Sequence, residues 1–228
     1  MMHREYRIPL AQHLRQLRCL RFFHAFMEYI RDAGSPLDFF SWHSYLSVED
    51  TMFMSEYCRA QLEKYGFGSC EVHLNEWNNG ARTAKRGTAF ASANAAAMML
   101  AMQNQREDML CYYDARIGPS IYGGLFNPDS WEPYCTYYSF KAFGELYALG
   151  TQTRCRTDAE QLYAVSAADG DKKAAMIANI GKSRDFTTDL PDGMKAYLVD
   201  ETHMLEEMPL DPAKFTLNEN TVVLFKNY

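Results

Sequence analysis

Between residues 22 and 150, stretches of helical periodicity take turns with short extended runs, and beyond residue 157 only the extended runs remain. Phe22, Phe26, Tyr29 and Ile30 recur at helical spacing until Gly34, Ser35 and Pro36 stop the helix. Residues 37–45 (LDFFSWHSY) then read as an aromatic-rich strand. Ser47 followed by Glu49 and Asp50 marks a helix start, a hydroxyl cap with acids in the first turn, and Gly66 marks its end. Residues 70–76 (CEVHLNE) and 109–114 predict two more strands. Between them, residues 88–103 predict a helix dense in Ala and Met, where Met98, Met99 and Met102 serve close packing on a sheet. A loop rich in Gly, Pro and aromatics leads to an amphipathic helix over 137–149 that ends at Gly150. Alternation of strand and helix is the mark of βα units around a parallel sheet.

The tail follows a different rule. Residues 162–167, 174–180, 194–199 and 221–225 are short apolar segments divided by turn clusters such as Asp169-Gly170-Asp171 and Pro191-Asp192-Gly193. They predict antiparallel strands and a small all-β sandwich domain over residues 156–228.

Charge changes the picture at the other end. Arg4, Arg7, Arg15, Arg18 and Arg21 accompany only Glu5 in a chain whose net charge is −6. Residues 1–21 therefore form either a basic surface helix, running from Leu10 to Phe23, or a segment foreign to the ancestral domain. The overall acidity argues against a nucleic-acid partner, which needs a surplus of Lys and Arg on one face. No run approaches the ~18 consecutive apolar residues of a membrane span, so no membrane partner is expected. The start of the chain lacks a signal-peptide pattern, which points to the cytoplasm. Cys19, Cys58, Cys70, Cys111, Cys135 and Cys155 include no Cys-x-x-Cys pair and read as reduced, mostly buried thiols. Gly123-Gly124 lacks the Lys-Ser/Thr that would make a phosphate loop.

Functional side chains in a parallel βα sheet gather where strands end. The period of two places Ser41, His43 and Tyr45 on one face of the first strand, and Val72, Leu74 and Glu76 on one face of the second. By the same parity His73 faces away from Glu76, which argues against a His43–His73–Glu76 metal site. A carboxylate at a strand mouth is either a solvated acid or one held for a purpose, and Tyr45 is its expected hydrogen-bond donor unless that ring belongs to the core. An oriented carboxylate beside aromatic rings suits nucleophilic attack at a sugar's anomeric carbon.

The pair PLDFFSWHSY and CEVHLNEWNN resembles strands six and seven of the (β/α)8 barrels of glycoside hydrolase clan A, above all family 39, the β-xylosidase and α-iduronidase type. His43 and Tyr45 match that family's His-x-Tyr element, and Glu76, Trp77 and Asn78 match its nucleophile motif. The resemblance covers residues 22–228. It implies the last three strands and helices of a (β/α)8 TIM barrel over 22–155, then the β-sandwich. It also implies a retaining glycoside hydrolase with Glu76 as nucleophile, Tyr45 orienting it, a glycoside or oligosaccharide substrate and no cofactor. His43 and Asn78 would contact sugar, and Trp77, Tyr113, Tyr122 and Trp131 are candidate platforms for sugar rings, each equally suited to core packing.

A full barrel of this type takes roughly 250 residues and eight strands. Five strands are missing, and with them the family's strand-four acid, which follows an Asn. Of the two Asn-Glu pairs, Asn75-Glu76 is the nucleophile position and Asn218-Glu219 lies in the β tail. The expectation is thus a truncated chain lacking its general acid, with residues 1–21 as replacement sequence. Its rival is a noncatalytic carbohydrate-binding or interaction module. Three parallel strands also leave two open edges, through which the chain would self-associate or complete its barrel with another polypeptide.

Overall fold

The structure, a computed structural model, describes residues 10–78, 83–118, 122, 124–211 and 213–228, with side chains of the first helix described from Arg18 onward. The first nine residues of the basic segment, the Arg15 side chain and Gly123 lie outside the described residues.

Helix α1 (Leu10–Asp32) is continuous across the expected junction at residues 21 and 22, because no Gly or Pro interrupts it before Gly34. Strand β1 (Phe39–Ser44) follows, then α2 (Val48–Lys64), β2 (Glu71–Trp77), α3 (Ala89–Met102), β3 (Met109–Tyr112) and α4 (Cys135–Tyr147). The side chain of Ser47 caps α2 by accepting from the Asp50 amide at 3.1 Å, as the sequence predicts. The three strands form one parallel sheet in the order β1-β2-β3.

One face of that sheet is covered. Val72 packs with Met27 and Ile30 of α1 and Leu62 of α2, while Leu74 and Trp77 join the core built around α3 and α4. On β1 and β3 the same face is taken by Phe40, Trp42, Leu110 and Tyr112. Among the described residues the other face is bare, and Phe39 and Met109 lie exposed on it.

The register of β2 corrects the parity argument. Leu74 pairs with Trp42 but Glu76 pairs with His43, so Asn75 is an extra residue, and the pairing with β3 slips at the same place. Such a bulge exchanges the faces of all residues beyond it. Glu76 therefore does not share a face with Val72 and Leu74. It stands on the bare face with His43, as do His73 and Ser41, and Trp77 turns into the core.

Eight further strands make up the tail: β4 (Thr151–Thr153), β5 (Leu162–Asp169), β6 (Lys172–Asn179), β7 (Arg184–Thr187), β8 (Lys195–Val199), β9 (Met204–Met208), β10 (Lys214–Leu217) and β11 (Thr221–Lys226). Six of them form an antiparallel sheet in the order β4-β5-β6-β11-β8-β9, and β7 and β10 form a separate ribbon. In β6 and β11 alternation sends Met176, Ala178, Val222 and Leu224 toward the helices. Ile177, Val223 and Phe225 point toward the ribbon's Phe215 and Leu217. Burial on both faces explains why these two strands read as unbroken apolar runs. The pattern misses β4, β7, β9 and β10, which are short, edge-lying or charged. Strand β9 (MLEEM) is at the sheet edge, and its Glu207 meets Lys195 of β8 at 3.0 Å.

Helix α3 lies between the two sheets. Nearly all its side chains are buried, and its alanines bring it close to α4 and to β5, β6 and β11. One hydrophobic core thus runs from Leu74 through α3 to Leu224, across the expected boundary between residues 155 and 156. Polar sutures cross it too: Glu201 accepts from the first amide of α3 at 2.9 Å, and the Tyr163 hydroxyl donates to Glu49.

Candidate active site

Three strand ends converge above the bulge. The Ser44 hydroxyl is tied to that of Thr51 at 2.7 Å, and the Asn78 amide donates to the Ser44 carbonyl at 3.2 Å, which keeps the ends of β1 and β2 together. Chain leaving β1 toward the Ser47 cap carries Tyr45 outward, 40% exposed. The Tyr45 hydroxyl donates to Glu76 Oε1, and His43 Nδ1 lies 3.7 Å from the same oxygen. Partial burial first, then the bond to Glu76 and its charge, raise the Tyr45 phenol well above its ordinary value, so it remains a proton donor. The Glu76 side chain keeps about a quarter of its surface open, 27%, enough to meet a ligand.

Tyrosines wall one side. The Tyr45 and Tyr122 rings are 5.2 Å apart, and Tyr113 meets Tyr122 edge-on at 5.4 Å. Asn78 fixes this wall from beneath: buried, it donates its side-chain amide to the carbonyls of Tyr113 at 2.8 Å and Tyr122 at 3.1 Å. Gly124 is needed for the same crossing, since a Cβ there would sit 2.2 Å from the Tyr112 hydroxyl. Buried Asp114 holds Arg116 beside the wall, with Nε at 3.0 Å and the guanidinium carbon 5.9 Å from the centre of the Tyr113 ring.

Of the residues expected from sequence, Glu76, Tyr45, His43, Tyr113 and Tyr122 come together. Trp77 does not join them. At 1% exposure its ring packs on Tyr112 and Phe140, because the bulge turns it inward, so it offers no face to a sugar. Asn78 lies under the site rather than in it. Trp131 sits 69% exposed in the turn after residue 127, and among the described residues no ring contact joins it to the tyrosine wall. Asp114 and Arg116 escape the sequence reading as site residues, and Gly124 enters it only as part of a rejected phosphate loop. The Asp-x-Arg at the end of the third strand is the one signal that could have found the first two.

Among the described residues no group of three His, Cys, Asp or Glu side chains could hold a metal ion, and no helix is long and apolar enough to cross a membrane. Cys19 and Cys111 are exposed, Cys155 is half-buried, and the other three thiols are buried and unpaired.

No protein-family model matches the sequence, and no curated protein matches it. Solved structures do match the fold. A glucosidase from Croceicoccus marinus is 21% identical with a TM-score of 0.71, over 89% of this chain and 56% of that one. A family 39 β-xylosidase from Caulobacter crescentus is 18% identical with a TM-score of 0.63, over 89% of this chain and 54% of its own. A family 30 endoxylanase from Clostridium papyrosolvens is 15% identical with a TM-score of 0.56, over 83% and 48%. The fold is therefore similar to that of glycoside hydrolases of this clan, and the chain spans about half the length of each.

Proposed function

We propose that this chain is the nucleophile-bearing part of a retaining glycoside hydrolase, β-xylosidase-like and acting on O-glycosidic bonds. In this reading β1, β2 and β3 with their helices are the last three units of a (β/α)8 barrel over residues 22–155. The antiparallel strands of residues 156–228 are its appended sandwich. The observation that carries the proposal is the Tyr45–Glu76–His43 cluster at the strand ends of a sheet whose fold matches glycosidases.

The chemistry follows from that cluster. The Tyr45 hydroxyl occupies Oε1 of Glu76, which leaves Oε2 to attack the anomeric carbon. A glycosyl ester forms as the bond to the leaving oxygen breaks, and that oxygen takes a proton from a carboxylic acid. The same group, now a base, then activates the water that hydrolyses the ester. Among the described residues Tyr45 and His43 are the polar partners of Glu76, and neither is a carboxylic acid. Alone, the chain should turn over slowly, because a missing general acid costs roughly 10²–10⁴ in rate.

A 2-deoxy-2-fluoro-xyloside with a dinitrophenyl leaving group is the direct test, because dinitrophenolate departs without protonation and needs no acid. The expected result is a stoichiometric mass increase mapped to Glu76 and abolished in Glu76→Gln. Tyr45→Phe should slow labelling about 10–100-fold, the value of one hydrogen bond to a charged group. Sugar binding without labelling would leave the rival reading, a noncatalytic carbohydrate-binding module, which the open Tyr45–Tyr122–Tyr113 wall also suits.

A further inference from the structure

The ribbon of β7 and β10 covers only part of the six-stranded sheet. On the face beneath it, β5 presents Leu162, Ala164, Ser166 and Ala168 in turn, paired with Asn179, Ile177, Ala175 and Lys173 of β6. Leu162, Ala164 and Ile177 pack with Phe186 and Phe215 of the ribbon, whereas Ser166, Ala168 and Ala175 floor a cavity of about 530 Å³. Pro191 and Met194 wall it, together with the chain that leaves β4 at residues 154–156. Sites for small molecules take roughly 300–1,000 Å³, and this one shares no residue with the Tyr45–Glu76–His43 cluster.

Its charge runs against that of the chain. Arg154, Arg156 and Lys173 line it with Asp189 as the one acid among the described residues, in a protein of net charge −6. Among the described residues no ion pair engages any of these four side chains. A cleft lined by an excess of one sign raises the local concentration of ligands of the other sign. The remaining lining restricts which anion fits. Asp189 repels a bare anion and can only accept hydrogen bonds, so it calls for a hydroxyl donor on the ligand. The methyl groups of Ala168 and Ala175 offer an apolar floor to C–H bonds.

We propose that this cavity binds an anionic sugar, a polyhydroxylated ring that bears one phosphate or carboxylate. The anion lies among the Arg154 and Arg156 guanidiniums and the Lys173 ammonium, a C–H face of the ring rests on Ala168 and Ala175, and a hydroxyl donates to Asp189. A neutral sugar leaves the three cations unused, and inorganic phosphate meets Asp189 with no hydroxyl between them. The proposal stands apart from the glycosidase reading, because nothing in it uses Glu76.

The test titrates the full chain at low salt with glucose 6-phosphate, glucuronate, inorganic phosphate and glucose. Calorimetry gives the affinity. Alkylation of Cys155, a half-buried thiol that lines the cavity, gives the place when it is mapped by mass. Burial first, and also the Asp189 charge, raise that thiol above its ordinary value, so alkylation is run at mildly alkaline pH. The expected result is that at least one charged sugar binds about tenfold or more tightly than glucose and than inorganic phosphate. It should also slow alkylation of Cys155 and leave that of the exposed Cys19 and Cys111 unchanged. Which of the two sugars binds then assigns the anion as phosphate or carboxylate.

Arg154→Gln and Arg156→Gln should each weaken binding about tenfold, the worth of one charged hydrogen bond. Asp189→Asn should remove the preference over inorganic phosphate. Lys182→Gln, at a cation outside the cavity, should change nothing. All four positions are exposed, so these substitutions leave the fold intact. The proposal is overturned if neither charged sugar binds, or if glucose or inorganic phosphate binds as tightly. It is overturned equally if binding leaves Cys155 unprotected, if both arginine variants bind unchanged, or if Lys182→Gln weakens binding as much as they do. Labelling of Glu76 by the fluoroxyloside is read separately and bears on the glycosidase reading alone.

Discussion

The parallel and antiparallel sheets of this chain are made from the same kinds of residue and live in opposite surroundings. In the six-stranded sheet, β6 and β11 are buried on both faces, between α3 and α4 on one side and the β7–β10 ribbon on the other. Among the described residues, the three-stranded sheet has one face packed and the other bare, and both its edges are open. Every large hydrophobic residue exposed in the described chain except Tyr228 lies before the antiparallel region. Chemistry and stability are thereby assigned to different places. A carboxylate can be held ready only where a face remains accessible, while the free energy that holds the chain together comes from apolar area removed from water.

The sharpest way to break this contrast is to truncate a side chain at its buried end. Leu224→Ala, at a fully buried position of β11, should lower stability by about 3–4 kcal/mol in urea titration, through lost transfer energy and the cavity left behind. A loss below 1 kcal/mol would show that the antiparallel sheet is not the stable half.

A second test addresses what fixes the parallel sheet from below. Arg59 of α2 reaches under its strands and donates to the carbonyls of Arg106 at 2.6 Å and Cys70 at 2.8 Å, and to Asp108 at 2.7 Å. Asp108 in turn accepts from the Val72 amide at 2.8 Å. Arg59→Ala strands these acceptors and should cost about 2–3 kcal/mol, again read by urea titration, with the labelling chemistry at Glu76 moved only through folding.

The same network sets an acid limit. The backbone bond from Val72, followed by the Arg59 guanidinium, holds the Asp108 carboxyl below its ordinary value, despite partial burial. A depressed carboxylate contributes stability that is fully present above its unfolded value near 3.8 and disappears as pH falls through the folded one. Asp108→Asn should therefore flatten the loss of thermal stability below about pH 4 while leaving its slope near neutrality unchanged. An unaltered acid limb would assign that loss to other groups.

The smallest effect is expected on the bare face. Phe39→Ser removes an apolar ring that is 53% exposed and should change stability by less than about 0.5 kcal/mol, though it should reduce binding of a hydrophobic dye. A large destabilisation would mean that this face is packed in solution.

Much of this molecule is legible in its sequence, because the relevant forces are local. The Ser47 cap with its acids, the helix stop at Gly34, the alanine-dense α3 and the unbroken apolar runs of β6 and β11 each declare themselves within a few residues. The pairing of Tyr45 with Glu76 is also anticipated, because both fall at neighbouring strand ends. What escaped depends on partners distant in the chain. Strand β9, with Glu206 and Glu207 at its centre, is a strand only because β8 offers hydrogen bonds and Lys195 a counter-charge. The face on which Glu76 stands is decided by one extra residue, Asn75, and a bulge exists only in relation to the register of the strands beside it. Composition and periodicity thus determined which elements form, and the resemblance of the two strand motifs pointed to Glu76. Only the assembled sheet decided that Glu76 looks outward and Trp77 inward, since side-chain direction along a strand is set by hydrogen bonds to neighbours that no local pattern contains.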